Sequence, residues 1–144
     1  MGVLTDFVVA GGTEAEKVGT EREAFQGLDA KGIDQVKMAT LYAILNKTQY
    51  DPSFPMLREE SFVYIASEDG PWVQVVPDEM VQQLAAQSDA DLVTVSEAWY
   101  NTEEFLPKYS HWTKADVLEL LRQLREISSR TAAENKVLCM WRCL

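Results

Sequence analysis

Apolar positions recur along this chain with two different periods, and the switches between them outline its elements. Val3–Ala10 (VLTDFVVA) is β-rich and stops at Gly11-Gly12, which predicts a first strand. Thr13 with Glu16 three residues on has the pattern of a capping box, so a short helix is expected there. From Gly19 to Gly32 the chain is polar and broken, with Phe25 and Leu28 as its anchors. Ile33–Asn46 then has helical spacing: Asp34 is placed to cap it, Val36, Ala39, Thr40, Leu41, Ile44 and Leu45 form a wide apolar face, and Met38 and Tyr42 flank that face. Asn46–Pro55 (NKTQYDPSFP) contains two prolines among turn formers and is expected to be a loop.

Phe62–Ser67 and Trp72–Val76 are β-rich runs separated by Glu68-Asp69-Gly70-Pro71, which predicts a β-hairpin. Pro77-Asp78-Glu79 opens a helix, with proline in the first turn and acids at the positive end of its dipole. Met80, Val81, Leu84 and Ala85 are its buried stripe. Ser88-Asp89-Ala90-Asp91 caps a further helix carrying Leu92, Val95 and Trp99, which frays into Asn101–Pro107. Thr113 and Asp116 make an acidic variant of the capping box before the longest helix, where Val117, Leu120, Leu121, Leu124 and Ile127 share one face. Val137–Cys143 closes the chain as a strand. The order predicts an α+β fold. Its sheet is small and mostly antiparallel, built from the N-terminal strand, the central hairpin and the C-terminal strand, with about four helices covering it. At 144 residues the chain fits a single domain, 1–144.

Charge changes this picture more than composition does. The formal net charge is −10, and it is uneven: residues 1–112 hold 7 basic and 19 acidic residues, residues 113–144 hold 6 and 4. Nucleic-acid binding depends on Lys and Arg neutralising phosphates, so a polyanion is not the expected partner. Anionic membrane surfaces are disfavoured for the same reason. A basic partner suits the acidic part; a solvated face that maintains solubility is the plainer account. The longest uninterrupted apolar runs are five residues, as in Val137–Trp141, against the roughly 20 that span a bilayer. Met1–Asp6 lacks a basic leader region, so a cytoplasmic location is expected. Cys139 and Cys143 lie on one face of the last strand, about 13 Å apart along it, beyond the roughly 4.4–6.8 Å between bridged Cα atoms. No disulfide between them is expected, and no pattern fixes an oligomeric state.

Candidate chemistry is sparse. His111 is the single histidine, no nucleophile elbow exists, and no C-x-x-C or H-E-x-x-H pattern suggests a metal. Gly11-Gly12-Thr13 sits where a phosphate loop would, but Glu14 and Glu16 place negative charge there. No cofactor is expected. The densest candidate is Glu97–Trp112 (EAWYNTEEFLPKYSHW), where Trp99, Tyr100, Tyr109 and Trp112 stand among acids. Such rings with a few polar groups line ligand pockets and interface hot spots; they also pin loops onto cores.

In order along the chain, Met1–Phe7, the apolar helix Val36–Leu45, the strand-to-helix passage Val75–Val81, the cap cluster Ser88–Val95, the long helix Val117–Ile127 and the strand Val137–Trp141 resemble the YfbM-like family of uncharacterised bacterial proteins. Leu28-Asp29-Ala30-Lys31 echoes the start of a Leu-Asp-Lys-then-Trp-His pattern in that family, and no Trp-His follows it here. The resemblance implies an α+β fold and no established activity, so it assigns no site residues. The expectation is a non-enzymatic interaction protein, an inhibitor or immunity-type partner of a basic protein, or a binder of a small ligand, using Trp99, Tyr100, Tyr109 and Trp112. The alternative is a small hydrolase pairing Glu103 or Glu104 with His111, which acid/base work would require within hydrogen-bond reach.

Overall fold

The computed structural model describes residues 3–144 and carries five strands and five α-helices. Strands are β1 (Leu4–Ala10), β2 (Gly27–Asp29), β3 (Phe62–Ile65), β4 (Trp72–Val75) and β5 (Val137–Cys143). Helices are α1 (Lys17–Thr20), α2 (Gln35–Leu45), α3 (Asp78–Ala85), α4 (Asp89–Tyr100) and α5 (Lys114–Ala133). One antiparallel sheet has the order β2-β1-β5-β4-β3. The α+β expectation holds. The Met1-Gly2 start of the resemblance lies outside the described residues.

The two longest strands, β1 and β5, pair over seven residues at the centre of the sheet, from Leu4 opposite Cys143 to Ala10 opposite Val137. Alternation along them sends successive side chains to opposite faces. Phe7, Leu138 and Met140 enter the main core under the larger helices, with Ile33, Leu41 and Leu84. Val8, Ala10 and Cys139 face the other way, where Ala15 and Val18 close a smaller cluster. Cys139 is buried there, and burial pushes its thiol up to about 12. Both cysteines are free.

Helix ends show why the elements stop where they do. The capping boxes at Ser88 with Asp91 and at Thr113 with Asp116 are both closed. At the far end of α2, the Lys47 amide donates to the Ile44 carbonyl and the Thr48 amide to that of Ala43. At the end of α5, Asn135 and Lys136 repeat this with Ala132 and Thr131. Lys47 (φ 52°) and Asn135 (φ 53°) take the left-handed conformation this ending demands.

Three local expectations differ from the structure. The Thr13–Glu16 box does not form: α1 begins only at Lys17, has four residues and has no side-chain cap. Helix α2 has the wide covered face expected of it, but that face buries Lys37, Met38, Ala39, Leu41 and Ala43 and so centres on Met38 instead of being flanked by it. A helix wedged between several neighbours needs no sharp amphipathic face. Strand β2 falls inside the stretch that reads as broken loop.

Candidate functional site

Strand β2 is an edge strand held by pairing rather than by its own residues: Asp29, Leu28 and Gly27 face Asp6, Phe7 and Val8. Gly27 permits the fit, because a Cβ there would lie 2.3 Å from Arg22 Nη2 and 3.0 Å from the Phe7 carbonyl oxygen. Arg22 is itself fixed by Asp6 at 2.9 Å. After β2 the Ala30 amide donates to the Thr5 carbonyl and the Gly32 amide to that of Val3. Gly32 has φ +92°, and a Cβ there would come within 3.2 Å of Trp112 Nε1. That indole donates to the Lys31 carbonyl at 3.2 Å. The contact ties the approach to α5 against the turn that follows β2.

Helix α5 begins beside this junction. Its cap is reciprocal: the Asp116 amide donates to Thr113 Oγ1 (3.1 Å) and the Thr113 amide to Asp116 Oδ2 (2.9 Å). The hydrogen bonds from Thr113 hold the Asp116 carboxyl below its ordinary range. Asp116, Glu119 and Gln123 follow at spacings of three and four residues on one face. Together with Asp29 and His111 they rim an open cleft of about 330 Å³ with Trp112 and Leu120 as its apolar wall. His111 is exposed, and among the described residues no carboxylate makes an ion pair or hydrogen bond with it. The cleft runs past Gln123 into a second depression of about 730 Å³ between Leu28 and Ile127, with Glu126 and Arg130 on its helix side.

The Glu97–Trp112 stretch is split by the fold. Trp99 is fully buried: its indole donates to the Lys37 carbonyl at 2.9 Å and its ring meets Phe105 edge-on at 5.2 Å. It is a core residue with no face to offer a partner. Tyr100 is half-buried, 6.4 Å from Phe105. Tyr109 is exposed at 66%, with Lys108 Nζ 5.0 Å above its ring. Trp112 alone of the four lines the cleft. Glu103 and Glu104 sit in the 3-10 turn that carries Phe105 into the core, and neither lines the cleft beside His111. Of the residues the sequence singles out, Trp112 and His111 line this cleft; their neighbours Asp29, Asp116 and Glu119 carry no such signal. The helical spacing of Asp116 and Glu119 was visible, whereas the meeting of Asp29 with residues more than eighty positions away was not.

A second polar cluster lies inside the fold. Arg142 is 8% exposed; its Nη2 donates to Gln74 Oε1 at 2.7 Å and to Gln35 Oε1 at 3.2 Å. Its guanidinium lies 5.3 Å from the Trp72 ring centre and 6.0 Å from that of Phe62. Gln74 Nε2 in turn donates to the Met56 carbonyl (2.7 Å) and Ser61 Oγ (2.9 Å). Burial lowers the Arg142 pKa, and Asp34 offsets part of that effect. Arg142 Nε is buried and has no hydrogen-bond partner among the described residues. Among the described residues no three His, Cys, Asp or Glu side chains converge as metal ligands do, and no helix is long and apolar enough to cross a membrane.

The architecture defines the class: an α+β protein with one five-stranded antiparallel sheet, its main core closed by helices on one face. No family model matches the chain, and no curated protein matches its sequence. Among solved structures the fold is similar to YfbM from Escherichia coli, described as a protein of unknown function, at 11% identity and a TM-score of 0.51. The match covers 96% of this chain and 99% of that one. The likeness is one of fold.

Proposed function

We propose that this protein is a non-enzymatic cytoplasmic interaction protein that recognises a basic partner protein, in the manner of an inhibitor or immunity-type partner, through the cleft between β2 and the start of α5. The observation that supports this is the composition of the cleft. Asp29, Asp116 and Glu119 rim an apolar wall of Trp112 and Leu120, and no Lys or Arg lines it. That combination suits an incoming Lys or Arg, whose aliphatic stem covers apolar surface while its cation meets carboxylates. The Trp112 ring adds an attraction for a cation close to its face. The net charge of −10 steers a basic partner toward the protein and a nucleic acid or anionic membrane away from it.

The test is titration of labelled lysine-rich and arginine-rich polypeptides against the intact protein at two ionic strengths. Affinity is expected to fall about tenfold between about 50 and 300 mM salt. The doubly neutralised variant Asp29→Asn with Glu119→Gln is expected to weaken binding at low salt. Salt-independent binding, or equal affinities for the variant and the natural protein, would refute the reading.

A further inference from the structure

The edges of a sheet carry backbone groups that no neighbouring strand satisfies. At the β2 edge the pattern is fixed by the register. The Ala30 amide donates inward to the Thr5 carbonyl, and Leu28 is opposite Phe7. In an antiparallel ladder successive residues alternate between facing the partner strand and facing away. Gly27 and Asp29 therefore turn their N–H and C=O groups out of the sheet, and both residues are exposed. Beside this edge runs the groove formed by the two depressions, which share Gln123. Along it α5 presents Asp116, Glu119, Gln123, Glu126, Ile127 and Arg130. The stripe from Asp116 to Arg130 measures about 21 Å at 1.5 Å per residue, room for about six residues of extended chain.

We propose that the free edge of β2 takes up an extended Lys- or Arg-bearing segment of a partner protein as an added strand, laid in the groove against α5. This rests on the reading that the partner is basic and supplies its mode of recognition. Alternate side chains of an added strand point to the same face. Those directed toward α5 meet an apolar floor of Leu28 and Ile127 with Glu119 and Glu126 above it. A lysine or arginine satisfies both, its stem lying on the floor and its cation reaching the acids. Hydrogen bonds to Gly27 and Asp29 give affinity without regard to sequence, and the alternating cations give selectivity. Charge complementarity decides the occupant: Asp116, Glu119 and Glu126 outnumber Arg130 along the α5 side of the groove. A second copy would bring the same carboxylates against them. The opposite edge is less suited, because β3 loses its register between Phe62 and Tyr64, and such irregularities blunt strand pairing.

A peptide alternating lysine and threonine is the probe, compared with the same peptide N-methylated at every second residue in each of the two phases. One N-methylated phase is expected to bind about tenfold more weakly or worse, since it removes the donors that face β2, while the other binds like the parent. Amide exchange on the full chain is expected to slow at Gly27 and Asp29 when the parent peptide is added. Salt-sensitive binding that neither N-methylated phase weakens, with no protection at Gly27 and Asp29, overturns strand addition and leaves the basic-partner reading standing. Absence of binding by every basic peptide overturns both. Protection at Gly27 and Asp29 without peptide, rising with protein concentration alongside dimer formation, assigns the edge to a second copy and overturns the proposal.

Discussion

Two polar clusters flank the main core, and the same kinds of side chain do opposite things in them. Around Arg142 the cation is enclosed: two glutamine oxygens receive it, it lies over the rings of Trp72 and Phe62, and a further layer of Met56 and Ser61 orients Gln74. Asp116 and Glu119, with Asp29 at the rim, border an open cleft whose apolar wall is Trp112 beside the buried Leu120. Enclosure turns charge into a constraint, because a buried cation tolerates no loss of an acceptor. Openness leaves charge available to a partner. The first cluster is consequently a matter of stability and the second, in the function proposed above, of recognition, and each can be probed by changes that leave the other untouched.

The largest difference is expected at Gln74. Replacing it by leucine removes one acceptor of Arg142 and the donor to both Met56 and Ser61, stranding a buried cation. Gln74→Leu should lower unfolding free energy in urea by about 3 kcal/mol. Arg142→Met should cost less, about 1–2 kcal/mol, since it strands the neutral Gln74 Oε1 rather than a cation. Combining the two should recover most of the loss. A double variant as unstable as Gln74→Leu alone would show that the cost comes from lost packing and not from the stranded charge.

A smaller effect is expected where the cleft is assembled. Gly32→Ala places a Cβ on a residue at φ +92° and within 3.2 Å of the Trp112 indole nitrogen. The left-handed backbone alone should cost about 1–2 kcal/mol. The loss of the Trp112–Lys31 tie should appear as a change in tryptophan emission with the rest of the fold intact. Unchanged emission would mean that the β2 turn and the approach to α5 hold together without that contact. Smaller again is Glu119→Gln: the residue is exposed and paired with Arg122 only at 3.6 Å. Stability should move by no more than about 0.5 kcal/mol, so a larger loss would contradict the division between constraint and recognition.

The two clusters also differ in how far the sequence disclosed them. Four of the five helices and four of the five strands announce themselves by period, and the Thr113–Asp116 box by spacing, because those signals are local. Strand β2 does not, since Gly27-Leu28-Asp29 is too short to alternate and exists by pairing with β1. Trp99 and Trp112 look equivalent in a stretch of aromatics; the fold sends one to the core and the other to the cleft wall. Arg142 looks like a surface cation closing a strand. Its burial follows from alternation on β5, which places it on the face of Leu138 and Met140 and next to Gln74 and Gln35.

The smallest expected effect is a response to acid confined to the cleft. Asp116 is held below its ordinary pKa of 3.8 by its hydrogen bonds from Thr113. A carboxyl depressed in the folded state contributes stability that is present above the unfolded value and is lost as pH falls through the folded one. Asp116 is exposed, so its loss should open the first turn of α5 locally and leave the fold intact. Below about pH 4 the amides of Thr113 and Asp116 should therefore exchange faster relative to those in the middle of α5. Arg142 keeps its proton throughout that range, and amides near Gln74 should show no matching step. If both regions loosen together on acidification, the polar cluster inside the fold and the cleft are one cooperative unit, and the contrast between them fails.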